Sequence, residues 1–332
     1  MEQTPRYAAC CDIGGTKALL GLVNEQGQIL ARERYLLGAD RDPARLVEGL
    51  VATLRRLADR AGLGWAGAVG VGCSAAVMGD IERGIVFSAP PMLGPHRDVP
   101  LAALLEAASG LPALIEMDAY AAALGEAWQG AGAGVDYFVY VVVGTGIGAG
   151  ILVDGQVFRG YRGTAGEFGH ITIDPNGPAC NCGRYGCLEA LAAGPAIALR
   201  ARGAIAQGRR TVIAALAGGG EVNAETVFAA ARQGDEVALD IVDDTAAYLG
   251  IGLASLIHLL NPRVIALGGG VMLGGADLLL ERVRRQVARR CGPWVDVEET
   301  RLVLAALGED AGLLGAARRV WERFGNLQRR AH

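Results

Sequence analysis

The segment Asp12-Ile13-Gly14-Gly15-Thr16-Lys17 gathers a carboxylate, two glycines, a hydroxyl and an ammonium within six residues. A glycine pair directly after a strand lets backbone N–H groups approach a phosphate, with Thr16 offering a hydroxyl and Lys17 a charge. Asp12, at the strand end, is placed to hold Mg²⁺ through water. Lys17 is the single lysine among 31 basic side chains, the rest being arginines. A compact ammonium on a flexible stem suits this loop where a planar guanidinium would not. A second loop, Gly144-Thr145-Gly146-Ile147-Gly148, follows another strand-like run. Taken alone, each loop is also an ordinary hairpin turn and matches neither the Rossmann nor the Walker pattern. Occurring in equivalent halves of one chain, the pair suits the two ends of a polyphosphate. A third turn, Gly268-Gly269-Gly270, ends the strand-like Val264 to Leu267 and suits a nucleoside.

Of the seven cysteines, Cys180, Cys182 and Cys187 crowd into eight residues, which is poor spacing for a disulfide framework. With His170 they form the Cys₃His set of a tetrahedral structural zinc site. Four filled positions leave no place for a catalytic water, so zinc is expected to fold the loop carrying Glu167, His170 and Glu189. Asp118 lies between the strand-like Ala113 to Met117 and the alanine-rich run Ala119 to Trp128. It reads either as a helix N-cap or as the carboxylate that takes a hydroxyl proton in phosphoryl transfer. The two readings are compatible, because a helix N-terminus keeps a carboxylate ionised. His258, in an apolar helix, reads as a core residue.

Positioning these residues requires two similar sets of elements. Strands Tyr7 to Cys11, Ala18 to Val23 and Ile29 to Tyr35 precede a helix over 42–62, with Pro43 in its first turn and Gly62 at its stop. The same grammar returns in strands Tyr137 to Val143, Ala149 to Val153 and Gln156 to Arg159. A long helix over 235–260 then leads to strand Val264 to Leu267, and a strand at 302–307 to a helix at 310–324. The order βββαβα, twice over, predicts two related α/β domains with a cleft between them.

Composition narrows the function classes. With 31 basic against 35 acidic residues, 52% apolar residues and 50 glycines, the chain is neither a basic nucleic-acid binder nor a charge-rich disordered segment. Met1 to Arg6 lacks a signal-peptide pattern, and the run Tyr137 to Val153 is too short and too glycine-interrupted to span a bilayer. A cytoplasmic protein without nucleic-acid or membrane partners is expected.

The chain resembles the ROK family of sugar kinases and sugar-responsive regulators. The resemblance rests on Asp12 to Lys17, Asp118 to Glu126, Gly144 to Gly150, Gly166-Glu167-Phe168-Gly169-His170, the cysteine motif through Glu189, and Leu267 to Val271. It implies a duplicated actin-like, hexokinase-like (ribonuclease H-like) α/β fold. The smaller domain would be 1–117 plus 308–332, and the larger, zinc-bearing one 118–307, with hinges near 112–118 and 305–310. It also implies a glucokinase-type transfer from ATP, with Mg²⁺, to a hexose or hexose-like polyol, in a homodimer or homotetramer. Asp118 would be the base and, with Glu167, His170 and Glu189, would hold the acceptor. Asp12, Gly14, Gly15, Thr16, Lys17, Gly144, Thr145, Gly146, Gly268, Gly269 and Gly270 would hold the nucleotide. Regulators of the family carry a winged-helix extension before the first glycine loop; eleven residues precede Asp12 here, which disfavours a repressor.

Three departures concern the acceptor. Met117 replaces the asparagine usual before the catalytic aspartate, Ser74-Ala75 replaces a Pro-Gly pair, and 90–96 replaces an Asn-Leu and Trp segment. A site built without a hydrogen bond to a substrate hydroxyl discriminates against that substrate. The expectation is an acceptor other than plain glucose, such as a modified sugar, an amino sugar or a cyclitol, or poor use of glucose. A catalytically weak sugar-binding protein is the alternative.

Overall fold

The computed structural model describes residues 5–292, 295 and 299–326, so the expected domain ends at 1–4 and 327–332 lie outside it. The chain divides into two compact units, 1–134 with 160–163 and 307–332, and 135–159 with 164–306.

The first unit opens with β1 (Tyr7–Ile13), β2 (Lys17–Val23) and β3 (Ile29–Leu36), then β4 (Ala68–Ala75). Three short strands follow, β5 (Met78–Asp80), β6 (Ile85–Ser88) and β7 (Arg97–Val99), and make a small sheet of their own. With β8 (Ala113–Met117) the main sheet runs β3-β2-β1-β4-β8. The hairpin strands pair antiparallel, whereas β1-β4 and β4-β8 are parallel. β4 is buried along its whole length, as a strand covered on both faces must be, and edge strand β3 alternates in exposure.

In the second unit the pattern repeats. β9 (Phe138–Val143), β10 (Ile147–Val153), β11 (Gln156–Val157), β12 (Val264–Gly268) and β13 (Arg301–Leu304) form a sheet ordered β11-β10-β9-β12-β13. Its hairpin strands are antiparallel and its last two joins parallel. The duplication read from the sequence is therefore a duplication of sheet topology.

Helix Pro43–Arg60 starts at Asp42, whose side chain accepts the Arg45 N–H at 3.0 Å, and buries Leu46, Leu50, Leu54 and Leu57. Helix Glu236–Leu260 is capped by Asp235 and stopped by Asn261 at φ 42°. His258 is not in the core as expected; it is exposed in that helix's last turn.

Helices Asp118–Gln129 and Ala311–Phe324 approach so closely that a Cβ on Gly125 would strike the Ala311 carbonyl and one on Gly315 the Ala121 carbonyl. This contact places helix Asp118–Gln129 in the first unit, whereas the expected boundary at 117/118 assigned it to the second. The chain passes between units at 134/135, 159/160, 163/164 and 306/307; the last lies inside the expected hinge at 305–310, and none lies in the one expected at 112–118. Among the described residues no helix is long and apolar enough to cross a membrane.

Candidate active site

The C-terminal ends of three adjacent parallel strands in the first unit carry the first cluster. Asp12 on β1 pairs in register with Ser74 on β4, which pairs with Glu116 on β8; one residue on, Ile13, Ala75 and Met117 align. Ser74 Oγ donates to Asp12 Oδ1 at 2.6 Å, and the second carboxylate oxygen has no hydrogen-bond partner among the described residues. Burial pushes the Asp12 carboxyl up to about 6; the Ser74 hydrogen bond opposes this, and the charge of Asp118 adds to it. Gly312, in the first turn of helix Ala311–Phe324, makes room for the carboxyl: a Cβ there would lie 2.7 Å from Asp12 Cγ.

Asp118 is the first residue of its helix, with Met117 in the N-cap position, so the N-cap reading is displaced by one residue. Its Oδ1 accepts the Ala119 N–H at 2.8 Å. Although Asp118 keeps contact with solvent, the surrounding protein strips part of its water. This desolvation holds its carboxyl above the ordinary range against the pull of the Ala119 N–H.

The turn joining β1 to β2 is closed by Gly14 N–H donating to the Lys17 carbonyl at 2.9 Å, leaving Thr16 and Lys17 exposed. Gly15 lies under the turn Pro90–Leu93: a Cβ would come 3.1 Å from Pro91 Cβ. The rewritten 90–96 segment thus packs directly on the glycine loop. Lys17 contributes, after Arg34 and Arg32, to holding the Glu309 carboxyl below its ordinary range.

The second unit carries the remaining residues. Gly144 N–H donates to the Gly146 carbonyl at 2.9 Å, and the Gly144 carbonyl accepts the Gly194 N–H at 2.8 Å. Gly269, at φ 87°, sits where a Cβ would strike the Val143 carbonyl, and a Cβ on Gly144 would lie 3.9 Å from Gly270 N. The loops 144–146 and 268–270, separate in sequence, therefore meet at the ends of β9 and β12. Glu189 supports the first of them: its Oε2 accepts the Ile147 N–H at 3.0 Å, and a Cβ on Gly146 would fall 2.7 Å from that oxygen. Beside Thr145 and Glu189 lies a cavity of about 170 Å³, also lined by Cys180 and Asn181.

His170, Cys180, Cys182 and Cys187 bring one ligand atom each to within 4.8 Å of one another. Cys180 Sγ lies 3.8 Å from His170 Nδ1 and Cys182 Sγ 3.6 Å from Cys187 Sγ, the spacing left by metal–sulfur bonds of about 2.3 Å in a tetrahedron. The donor set and its geometry fit zinc. The other imidazole nitrogen, Nε2, lies 3.9 Å from Glu167 Oε2. Two short bridges, Thr172 with Cys187 and Ala179 with Tyr185, fold the loop. Burial, then the neighbouring sulfurs, push the Cys187 thiol up to about 12, while the Arg184 N–H leads in lowering Cys182. A bound cation would reverse the first effect.

Two clusters result. The first unit holds Asp12, Gly14, Gly15, Thr16, Lys17 and Asp118; the second holds Gly144, Thr145, Gly146, Glu167, His170, the three cysteines, Glu189 and Gly268 to Gly270. Sequence reasoning missed Gly194 and Gly312, glycines outside any motif, and the pairing of Ser74 with Asp12. It also missed Glu126, whose buried carboxylate accepts the N–H groups of Ala131 and Leu307, both at 2.8 Å.

The ROK family pattern matches residues 8–322. A glucokinase of Thermotoga maritima is 37% identical over 316 residues, covering 95% of this chain and 97% of that protein. A ROK hexokinase structure from Thermus thermophilus has a TM-score of 0.79 and 34% identity, covering 98% of this chain and all of that one. A ROK glucokinase from Streptomyces griseus, solved with glucose and AMPPNP, has a TM-score of 0.75 and 36% identity, covering 94% of this chain and 98% of that one. The fold is of the hexokinase-like α/β class. The chain belongs to the ROK family and falls among its ATP-dependent sugar kinases.

Proposed function

We propose that the chain transfers the terminal phosphoryl group of ATP to a hydroxyl of a hexose, with Asp118 as general base. The observation that carries this is the placement of Asp12 at the end of β1 and of Asp118 just after β8, the two strands that flank β4, with desolvation raising both carboxyls. As the acceptor oxygen bonds to phosphorus and the bond to ADP breaks, Asp118 takes the hydroxyl proton. Its helix N-terminus favours the ionised form needed beforehand.

Asp12, with one oxygen held by Ser74 and one free, would hold Mg²⁺ through water; Mg²⁺ neutralises charge on the phosphates. Gly14 to Lys17 and Gly144 to Gly146 supply phosphate donors, and Gly268 to Gly270 bound the adenosine end. Glu167, His170 and Glu189 hold acceptor hydroxyls, with His170 using Nε2 while Nδ1 faces the thiols. His170, Cys180, Cys182 and Cys187 would hold a structural zinc. The homodimer or homotetramer and the cytoplasmic location remain part of this reading on family resemblance.

Met117, with buried Ala75 beside it in register, favours an acceptor other than plain glucose, since its side chain offers no amide to a sugar hydroxyl. A catalytically weak sugar binder is the second reading, and the same residues motivate it. Coupled ADP-release assays with Mg-ATP over glucose, mannose, amino sugars, N-acetylated sugars and cyclitols test both. Turnover with a modified sugar above that with glucose supports the first; no turnover with any acceptor overturns it.

A further inference from the structure

Four guanidinium nitrogens are buried without a hydrogen-bond partner among the described residues: Arg6 Nε, Arg41 Nη1, Arg200 Nε and Arg319 Nε. Three are inner nitrogens of groups whose outer nitrogens are engaged, Arg6 on the Gly325 carbonyl, Arg200 on Leu191 and Thr245, and Arg319 on Glu322. At Arg41 the orphan is an outer nitrogen, and the side chain has no ion pair among the described residues. The carboxylates that flank it are engaged elsewhere: Asp40 pairs with Arg45, and Asp42 caps helix Pro43–Arg60. Among the described residues Arg41 is thus a cation without a counter-ion.

Its position gives that charge a meaning. Nη2 donates to the Gly15 carbonyl at 3.2 Å, within the first glycine loop. Gly94, at φ 57°, leaves space for the stem, since a Cβ there would come 3.2 Å from Arg41 Cβ. The side chain is wedged between the turn after Pro90 and the loop Gly14–Lys17. A buried cationic donor left unpaired is costly, and an anion is the partner that satisfies both its charge and its N–H groups.

We propose that Arg41 is a phosphate-binding residue: holding the Gly15 carbonyl through Nη2, it turns Nη1, which protein covers in this structure, to a phosphate oxygen when the nucleotide binds. The proposal rests on the reading of Gly14–Lys17 as a phosphate loop. It also explains how the rewritten 90–96 segment bears on the nucleotide: that segment packs on both Gly15 and Arg41.

Calorimetric titration of the full chain with Mg-ADP and with adenosine, for Arg41→Gln, Arg41→Lys and Thr16→Val, tests this without an acceptor. Arg41→Gln is expected to weaken Mg-ADP roughly ten- to hundred-fold, the range for a bond to a charged group, with adenosine binding and melting temperature unchanged. Arg41→Lys should recover part of the loss. If Thr16→Val weakens Mg-ADP and Arg41→Gln does not, the assignment of Arg41 is wrong. If neither does, the phosphate-loop reading fails and takes the assignment with it. A lowered melting temperature in both Arg41 variants, with no recovery by lysine, would show a structural role and overturn the proposal.

Discussion

Ser74 Oγ donates a 2.6 Å hydrogen bond to Asp12 across the β1-β4 join, at a position where the family usually carries the proline of a Pro-Gly pair. The bond pulls down a carboxyl that burial has pushed up to about 6. Ser74→Ala is therefore expected to raise the Asp12 carboxyl further. Because Asp12 must be ionised to hold Mg²⁺, the acidic limb of kcat/KM for Mg-ATP should move to higher pH, which a pH-rate profile reads directly.

The same shift has a stability consequence of defined sign. Asp12 is held above its unfolded value of 3.8, so the unfolded chain releases the proton first. Its contribution to stability is fully present below pH 3.8 and is lost as pH rises through about 6. Replacing it with a neutral amide removes that loss. Without nucleotide or Mg²⁺, Asp12→Asn should melt above the parent at pH 8, with the gap closing below pH 4. An upper bound on the gap is about 3 kcal/mol, at about 1.4 kcal/mol per pH unit.

Gly312→Ala would bring a methyl to 2.7 Å from Asp12 Cγ, with the carboxylate oxygens equally close. The carboxylate must move, so a large fall in kcat is expected beside an overpacking cost of about 1–3 kcal/mol in stability. Steady-state kinetics together with thermal melting separate the two effects.

Much of this was legible in the sequence because the residues concerned act locally. The turn Gly14–Lys17, the loop at Gly144 and the cluster of His170 with three cysteines each sit within a short stretch, and β1–β3 follow from apolar runs broken by turns. The unit to which helix Asp118–Gln129 belongs was not legible, because it is set by Gly125 and Gly315, far apart in the chain, meeting carbonyls. The strands β5–β7 are only three or four residues long and carry no clear alternation. The role of Ser74 needed the β1-β4 register, and Gly312 needed the packing of the final helix on β1. His258 misled because a mostly apolar helix still exposes its last turn.

Glu189 joins the glycine loop to the cysteine cluster, and two substitutions separate its roles. Glu189→Gln keeps an oxygen for the Ile147 N–H and should raise mainly the KM for the acceptor. Glu189→Ala leaves that N–H unpartnered and should raise the KM for ATP as well.

Zinc, if bound as proposed, should be present at one equivalent per chain by elemental analysis. Removal by chelation, or the Cys182→Ser substitution, should expose the segment 168–189 to protease and lower the melting temperature, because metal binding free energy at such a site is folding free energy.

The central claim is that Asp118 takes the acceptor proton, and the kcat of Asp118→Ala with Mg-ATP and the best acceptor tests it most directly. The account predicts a fall of roughly 10²–10⁴-fold, the range for loss of general-base catalysis, with the KM for ATP little changed. Turnover at the parent rate would contradict it.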